Sequence, residues 1–171
     1  MNEDARRIAR LAMMLALATS VHALESMTPI VLGWFRFGFA NIIGLTTLLI
    51  FGFKNALYVT VGRIFLGGLL SGSIGSPAFF LALSGGVVSI CFMGLISLTK
   101  RSCISEIGIS VVGAVSHNLA QLVTAYLIIV RNESILLLAP IMIIAAVVTG
   151  IINGIATRYL TQSLKHRWDI K

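Results

Sequence analysis

Six stretches of the chain, at about 8–27, 37–53, 55–72, 77–99, 107–130 and 134–160, are apolar nearly throughout and are parted by short polar or glycine-rich breaks. A helix crossing about 30 Å of hydrocarbon needs roughly 20 mostly apolar residues, and fewer where neighbouring helices or a thin bilayer compensate. The pattern therefore predicts an all-α, polytopic membrane protein of six transmembrane helices. The second and third stretches are separated by almost nothing, Gly52-Phe53-Lys54-Asn55, so their boundaries are set only to within several residues and five spans is the alternative count. No stretch reads as a hydrophilic linker, and residues 1–171 are expected to form a single transmembrane domain.

Composition agrees with this reading and narrows it. The chain is 57% hydrophobic and 11% charged, whereas soluble domains carry about one quarter charged residues. Its net charge of +7 does not suggest nucleic acid as a partner, because the cations are not clustered on a polar, aromatic-bearing surface. They lie between apolar runs, where they set topology and meet anionic lipid headgroups. With the first residues on the cytoplasmic side, the inner segments hold Arg6, Arg7, Arg10, Lys54, Lys100, Arg101, Arg158, Lys165, Arg167 and Lys171. The outer connections hold only Arg36 and Arg131, and Arg63 falls within the third span. This asymmetry favours an even number of crossings in a prokaryotic-type cell membrane, with both termini cytoplasmic. Arg6, Arg7 and Arg10 ahead of an apolar run imitate a secretion signal, but further spans follow at once, so the segment is expected to stay as the first helix. Cys91 and Cys103 lie in unlike surroundings and are expected to be free thiols.

Lipid gives no hydrophobic reward for helix association, so small residues that let backbones approach mark the packing faces. Ala5, Ala9, Ala12, Ala16, Thr19 and Ala23 recur in steps of four and three and make one smooth seam on the first helix. Gly68 and Gly72, then Ala146, Gly150 and Gly154, offer similar faces on the third and sixth helices. Two outer connections are candidate gates or ordinary turns: residues 26–37, with Pro29, Gly33 and Trp34, and the uncharged segment 71–77.

Polar side chains at membrane depth must find partners or line an aqueous cavity, which makes them functional candidates. On the first helix Thr19, His22 and Ser26 share a face, with Glu25 beside them. Asn41 lies one turn into the second helix and Arg63 near the middle of the third. On the fifth, His117, Asn118 and Gln121 are neighbours, with Gly113 and Thr124 extending the stripe. If the stripes converge, His22, Glu25, Asn41, Arg63, His117, Asn118 and Gln121 line an outward pocket for a small polar or anionic ligand. The competing reading is structural: an Arg63–Glu25 ion pair plus interhelical amide bonds. The histidines have no metal-ligand spacing, and there is neither a phosphate-binding G-x-x-x-x-G-K-[ST] loop nor a nucleophile elbow. No aspartate-rich cluster is available to hold magnesium and a diphosphate, so enzyme chemistry is poorly supplied.

The segments Arg6-Arg7-Ile8-Ala9-Arg10-Leu11-Ala12, Glu25 to Pro29, Gly38-Phe39-Ala40-Asn41, Arg63-x-x-Leu66-Gly67 and Ser116-His117-Asn118-Leu119-Ala120-Gln121 run in order along most of the chain. Together they resemble the Gx transporter family, also labelled heptaprenyl diphosphate synthase component I, whose members look like substrate-binding S components of energy-coupling factor transporters. Phe39 and Ala120 stand where that pattern has Leu and Gly. The resemblance implies a six-helix bundle whose outward pocket is covered by the first outer loop. It also implies that Ala5, Ala9, Ala12 and Ala16 dock onto a transmembrane coupling protein driven by cytoplasmic ATPases. The function expected is capture of a small vitamin-like, isoprenoid or other anionic metabolite from outside, with no catalysis and no cofactor. The alternatives are a membrane component of quinone- or flavin-linked redox or isoprenoid metabolism, and a purely structural anchor.

Overall fold

The computed structural model describes residues 2–27, 38–98 and 104–169, and every element among them is helical. Six helices follow in order: α1 (Glu3–Met27), α2 (Ala40–Phe51), α3 (Phe53–Leu70), α4 (Pro77–Ser97), α5 (Glu106–Thr124) and α6 (Ala139–Trp168). A π turn, Ala125–Val130, prolongs α5, and a 3-10 turn, Glu133–Leu138, leads into α6. The starts follow the local sequence. Ser76 caps α4 through its Oγ, which accepts from Phe79 N at 3.3 Å ahead of Pro77, and Ser105 Oγ accepts from Gly108 N at 3.2 Å at the head of α5.

Among the described residues four segments are long and apolar enough to cross a membrane: Glu3–Glu25, Pro77–Ser97, Glu106–Val130 and Glu133–Trp168. The chain is thus a multi-pass helical membrane protein. Helix α2 differs from the full span expected at 37–53, since its 12 residues rise only about 18 Å. The reason is its position. It packs against all five other helices, and no residue from Ala40 to Phe51 is exposed. A helix ringed by protein is not required to match the hydrocarbon thickness.

Helices α2 and α3 reverse at one residue, Gly52, whose φ of +83° is costly for any side-chain-bearing residue. The reversal fixes an antiparallel register symmetric about it. Thr60 Oγ1 lies against Gly44, and Leu48 and Ala56 share one buried cluster with Leu45, Ile90, Met93 and Ile109. Contacts along the other pairs give every successive helix the opposite direction. Gly68 meets Phe79 between α3 and α4, Ser89 Oγ donates to the Gly113 carbonyl between α4 and α5 at 2.8 Å, and Gly154 meets Ile107 between α5 and α6.

The first helix therefore begins at the end of the bundle where the last one finishes. There Arg10 Nη2 donates to the Trp168 carbonyl at 3.0 Å, and its guanidinium lies 5.4 Å from the centre of the Trp168 ring. Trp168 also packs on Phe51, with ring centres 5.9 Å apart.

Of the expected packing faces, Gly150 and Gly154 behave as read. A Cβ on either would fall 2.7 or 2.6 Å from the Cα of Val111 or Ile107, so α5 and α6 touch backbone to backbone. Gly72 does not: α3 ends at Leu70, and Gly72 sits in the following turn at φ +64°. Gly67 takes its place, packing against the His22 ring. In the alanine seam, Thr19 is buried, while Ala5, Ala9, Ala12 and Ala16 are exposed along one face of α1. Cys91 is a free, exposed thiol. The first outer connection over 28–37 and Cys103 lie outside the described residues.

Candidate functional site

The α2–α3 register brings the first polar pair together. Asn41 and Arg63 stand equally far from Gly52 on opposite arms, and Arg63 Nη2 donates to Asn41 Oδ1 at 3.0 Å. Arg63 is only 4% exposed, in a place where an uncompensated guanidinium is very costly. Glu25, at the end of α1, lies within electrostatic range of it, and the Glu25 carboxylate accepts from the backbone N–H of Phe39 just ahead of α2. One cation, one carboxylate and one amide from three helices thus form a connected group near the N-terminal end of α2.

Helix α4 joins this group to α5 through the consecutive glycines Gly85 and Gly86. A Cβ on Gly85 would stand 2.8 Å from Cε1 of His117 and 2.9 Å from Cγ of Gln121. A Cβ on Gly86 would stand 3.9 Å from Nη2 of Arg63 and 2.8 Å from Ile64 Cδ1. Two bare backbone positions therefore let Arg63 from one side, and His117 with Gln121 from the other, close onto the same step of α4. Among the described residues, the buried Nε of Arg63 and Oε1 of Gln121 have no hydrogen-bond partner. One is a donor and the other an acceptor, and buried groups of this kind are satisfied in folded proteins by a further partner.

The remaining two positions divide. The His22 ring packs on Gly67, one turn beyond Arg63 on α3, and lines a cavity of about 230 Å³ together with Ile64, Gly68, Ser71 and Phe79. Asn118 does not join the group. Its Nδ2 donates to the Met142 carbonyl at 3.0 Å and ties α5 to α6, which is the interhelical amide bond of the structural reading. A larger groove of about 570 Å³ runs between α4 and α5, lined by Val88, Phe92, Val115, Leu119 and Val123, and contains none of the seven predicted residues.

Sequence reading passed over three features of this region. The Gly85-Gly86 pair was visible as the only adjacent glycines inside the fourth apolar stretch. Asn153 on α6 is 2% exposed and donates from Nδ2 to the Gly38 carbonyl at 3.2 Å, which ties α6 to the start of α2. Thr46, Thr157 and Thr161 are buried polar positions of the same interior. Asn153, Thr157 and Thr161 recur every fourth residue, a signal overshadowed by the small-residue pattern beside it.

Alternating helices around a short central one, with a buried cation joined to a half-buried carboxylate and amide, define a multi-pass membrane protein with a polar interior. Within that class, the chain belongs to the family described as heptaprenyl diphosphate synthase component I, whose model matches residues 14–160. No curated protein and no solved structure matches it.

Proposed function

We propose that the protein is the substrate-binding membrane subunit of an energy-coupling factor-type transporter. It captures a small polar or anionic metabolite at the Arg63 end of the bundle and catalyses no reaction itself. The observation that carries this reading is the pairing of Arg63 Nε–H and Gln121 Oε1, buried, unpartnered and complementary, at the Gly85-Gly86 step. A ligand presenting an acceptor to the first and a donor to the second satisfies both. Glu25, Asn41 and His117 position these groups, and His22 flanks them. The exposed Ala5, Ala9, Ala12 and Ala16 supply a smooth face to a transmembrane coupling protein served by cytoplasmic ATPases, with both termini on that side.

The test is a mass-spectrometric inventory of small molecules that co-purify with the protein, followed by binding measurements on Arg63→Gln and Gln121→Leu. The reading expects one dominant metabolite, lost in both variants while helicity and monodispersity are retained. Retention of the metabolite by both variants, or binding of none from any metabolite pool, refutes it. A second reading, an isoprenoid- or quinone-handling membrane component, is favoured by the apolar groove between α4 and α5. A quinone- or flavin-bearing preparation would select it.

A further inference from the structure

Helices α2 and α6 run in the same direction: Asn153 bonds to Gly38 at one end and Trp168 packs on Phe51 at the other. Between these ends lie four buried oxygens with no hydrogen-bond partner among the described residues, Asn153 Oδ1, Thr157 Oγ1 and Thr161 Oγ1 on α6 and Thr46 Oγ1 on α2. Their residues are between 0% and 7% exposed. Other threonines of the same helices behave differently. Thr47 donates to the Ile43 carbonyl at 2.7 Å and Thr149 to the Ala145 carbonyl at 3.0 Å, the usual way a hydroxyl is satisfied inside a helix. Thr46, Thr157 and Thr161 make no such bond.

Spacing shows what would satisfy them. Residues four apart on a helix are separated by about 6 Å along its axis, too far for a direct hydrogen bond. Two hydrogen bonds of about 2.8 Å meeting at one near-tetrahedral oxygen span about 4.5 Å, so each step takes one or two bridging molecules. Asn153, Thr157 and Thr161 make two such steps, and Thr46 lies about as far below Gly38 as Thr161 lies below Asn153. A bridging molecule must donate to Asn153 Oδ1, which can only accept, and exchange bonds with hydroxyls. Water does both.

We infer that the α2–α6 interface binds a file of water molecules, held by Asn153, Thr157, Thr161 and Thr46, that leads from the Asn41–Arg63 end of the bundle to its Arg10–Trp168 end. This goes beyond the transport reading and does not rest on it.

The test uses the full chain in proteoliposomes, with Cys91 and Cys103 replaced by Ser. Thr157→Cys, Thr161→Cys and Ile144→Cys are each exposed to aqueous silver ion, which is about as wide as a water molecule and binds thiolate. Ile144 is 67% exposed on the outside of the bundle, and serves as the lipid-facing control. The file predicts that both threonine-derived thiols react at least an order of magnitude faster than the control, because only a hydrated thiol ionises. Rates no faster than the control overturn the inference. If the cysteine variants fail to fold, Thr157→Val decides. Loss of a water-bonded hydroxyl lowers the unfolding midpoint in detergent, whereas a midpoint equal to or above that of the parent means the site is dry and overturns the inference. Neither readout uses the transported ligand, so failure here is distinguishable from failure of the transport reading.

Discussion

Gly85→Ala puts the meeting of α4 and α5 to a test in which the sign of the effect is decisive. In a helix interior, Ala is favoured over Gly by about 0.5–1 kcal/mol, so with free space the variant would be the more stable protein. The structure leaves no such space. The new methyl would lie 2.8 Å from Cε1 of His117 and 2.9 Å from Cγ of Gln121, against about 3.5–4.0 Å for carbon atoms at optimal separation. Both neighbours are buried, so relief requires moving α4 away from α5 or turning both side chains. Overpacking of this kind costs about 1–3 kcal/mol, which at mid-range outweighs the propensity gain and leaves a net loss of about 1 kcal/mol. Far-UV circular dichroism during unfolding in mixed micelles measures it. A double-mutant cycle with Gln121→Ala or His117→Ala then assigns the loss, with a coupling of at least about 0.5 kcal/mol expected because each truncation removes one of the clashing groups. A Gly85→Ala protein as stable as the parent or more so, or a cycle without coupling, would show that α5 does not approach α4 at this step. The basis for grouping Arg63 with Gln121 would then be lost.

Three further outcomes follow from the same geometry. Asn41→Leu removes the acceptor of a buried guanidinium and is expected to cost about 1.5–3 kcal/mol in the same unfolding assay, with Arg63→Met in the Asn41→Leu background recovering part of it. Gly52→Val forces a β-branched residue to φ +83° and should cost about 1–2 kcal/mol, and Gly52→Asn less, although a Cβ there meets nothing within 4 Å. Arg10→Ala breaks the hydrogen bond and the ring contact to Trp168; proteolysis of the detergent-solubilised protein should then cut the last turns of α6 several-fold faster, while the 230 Å³ cavity's lining stays protected.

The sequence made the helices legible because hydropathy reports where a segment is free of charge, and all six runs correspond to helices. It could not show that α2 is the shortest and the most enclosed, since apolar side chains read alike whether they meet lipid or protein. The Arg63–Asn41 bond was within reach, because a one-residue reversal at Gly52 aligns the two positions; what was hidden was that the connection shrinks to Gly52 alone. Asn118 was grouped with its neighbours by helical adjacency, but its partner is the Met142 carbonyl, and backbone acceptors leave no mark in a sequence. The threonines of α6 carried a regular spacing yet were unremarkable by type, since a threonine in a membrane helix ordinarily bonds to its own backbone. Which of them fails to do so is visible only in three dimensions.

The brevity of α2 also bears on how the chain enters the membrane. A helix of 12 residues is shorter than a segment that is stable across lipid on its own, so its residence in the bilayer must be conferred by the rest of the bundle. Biogenesis then has an order: the long helices provide the shell, and α2 settles inside it on its tether to α3. Lesions in that shell, far from Arg63, would first be felt as a central helix left without a place.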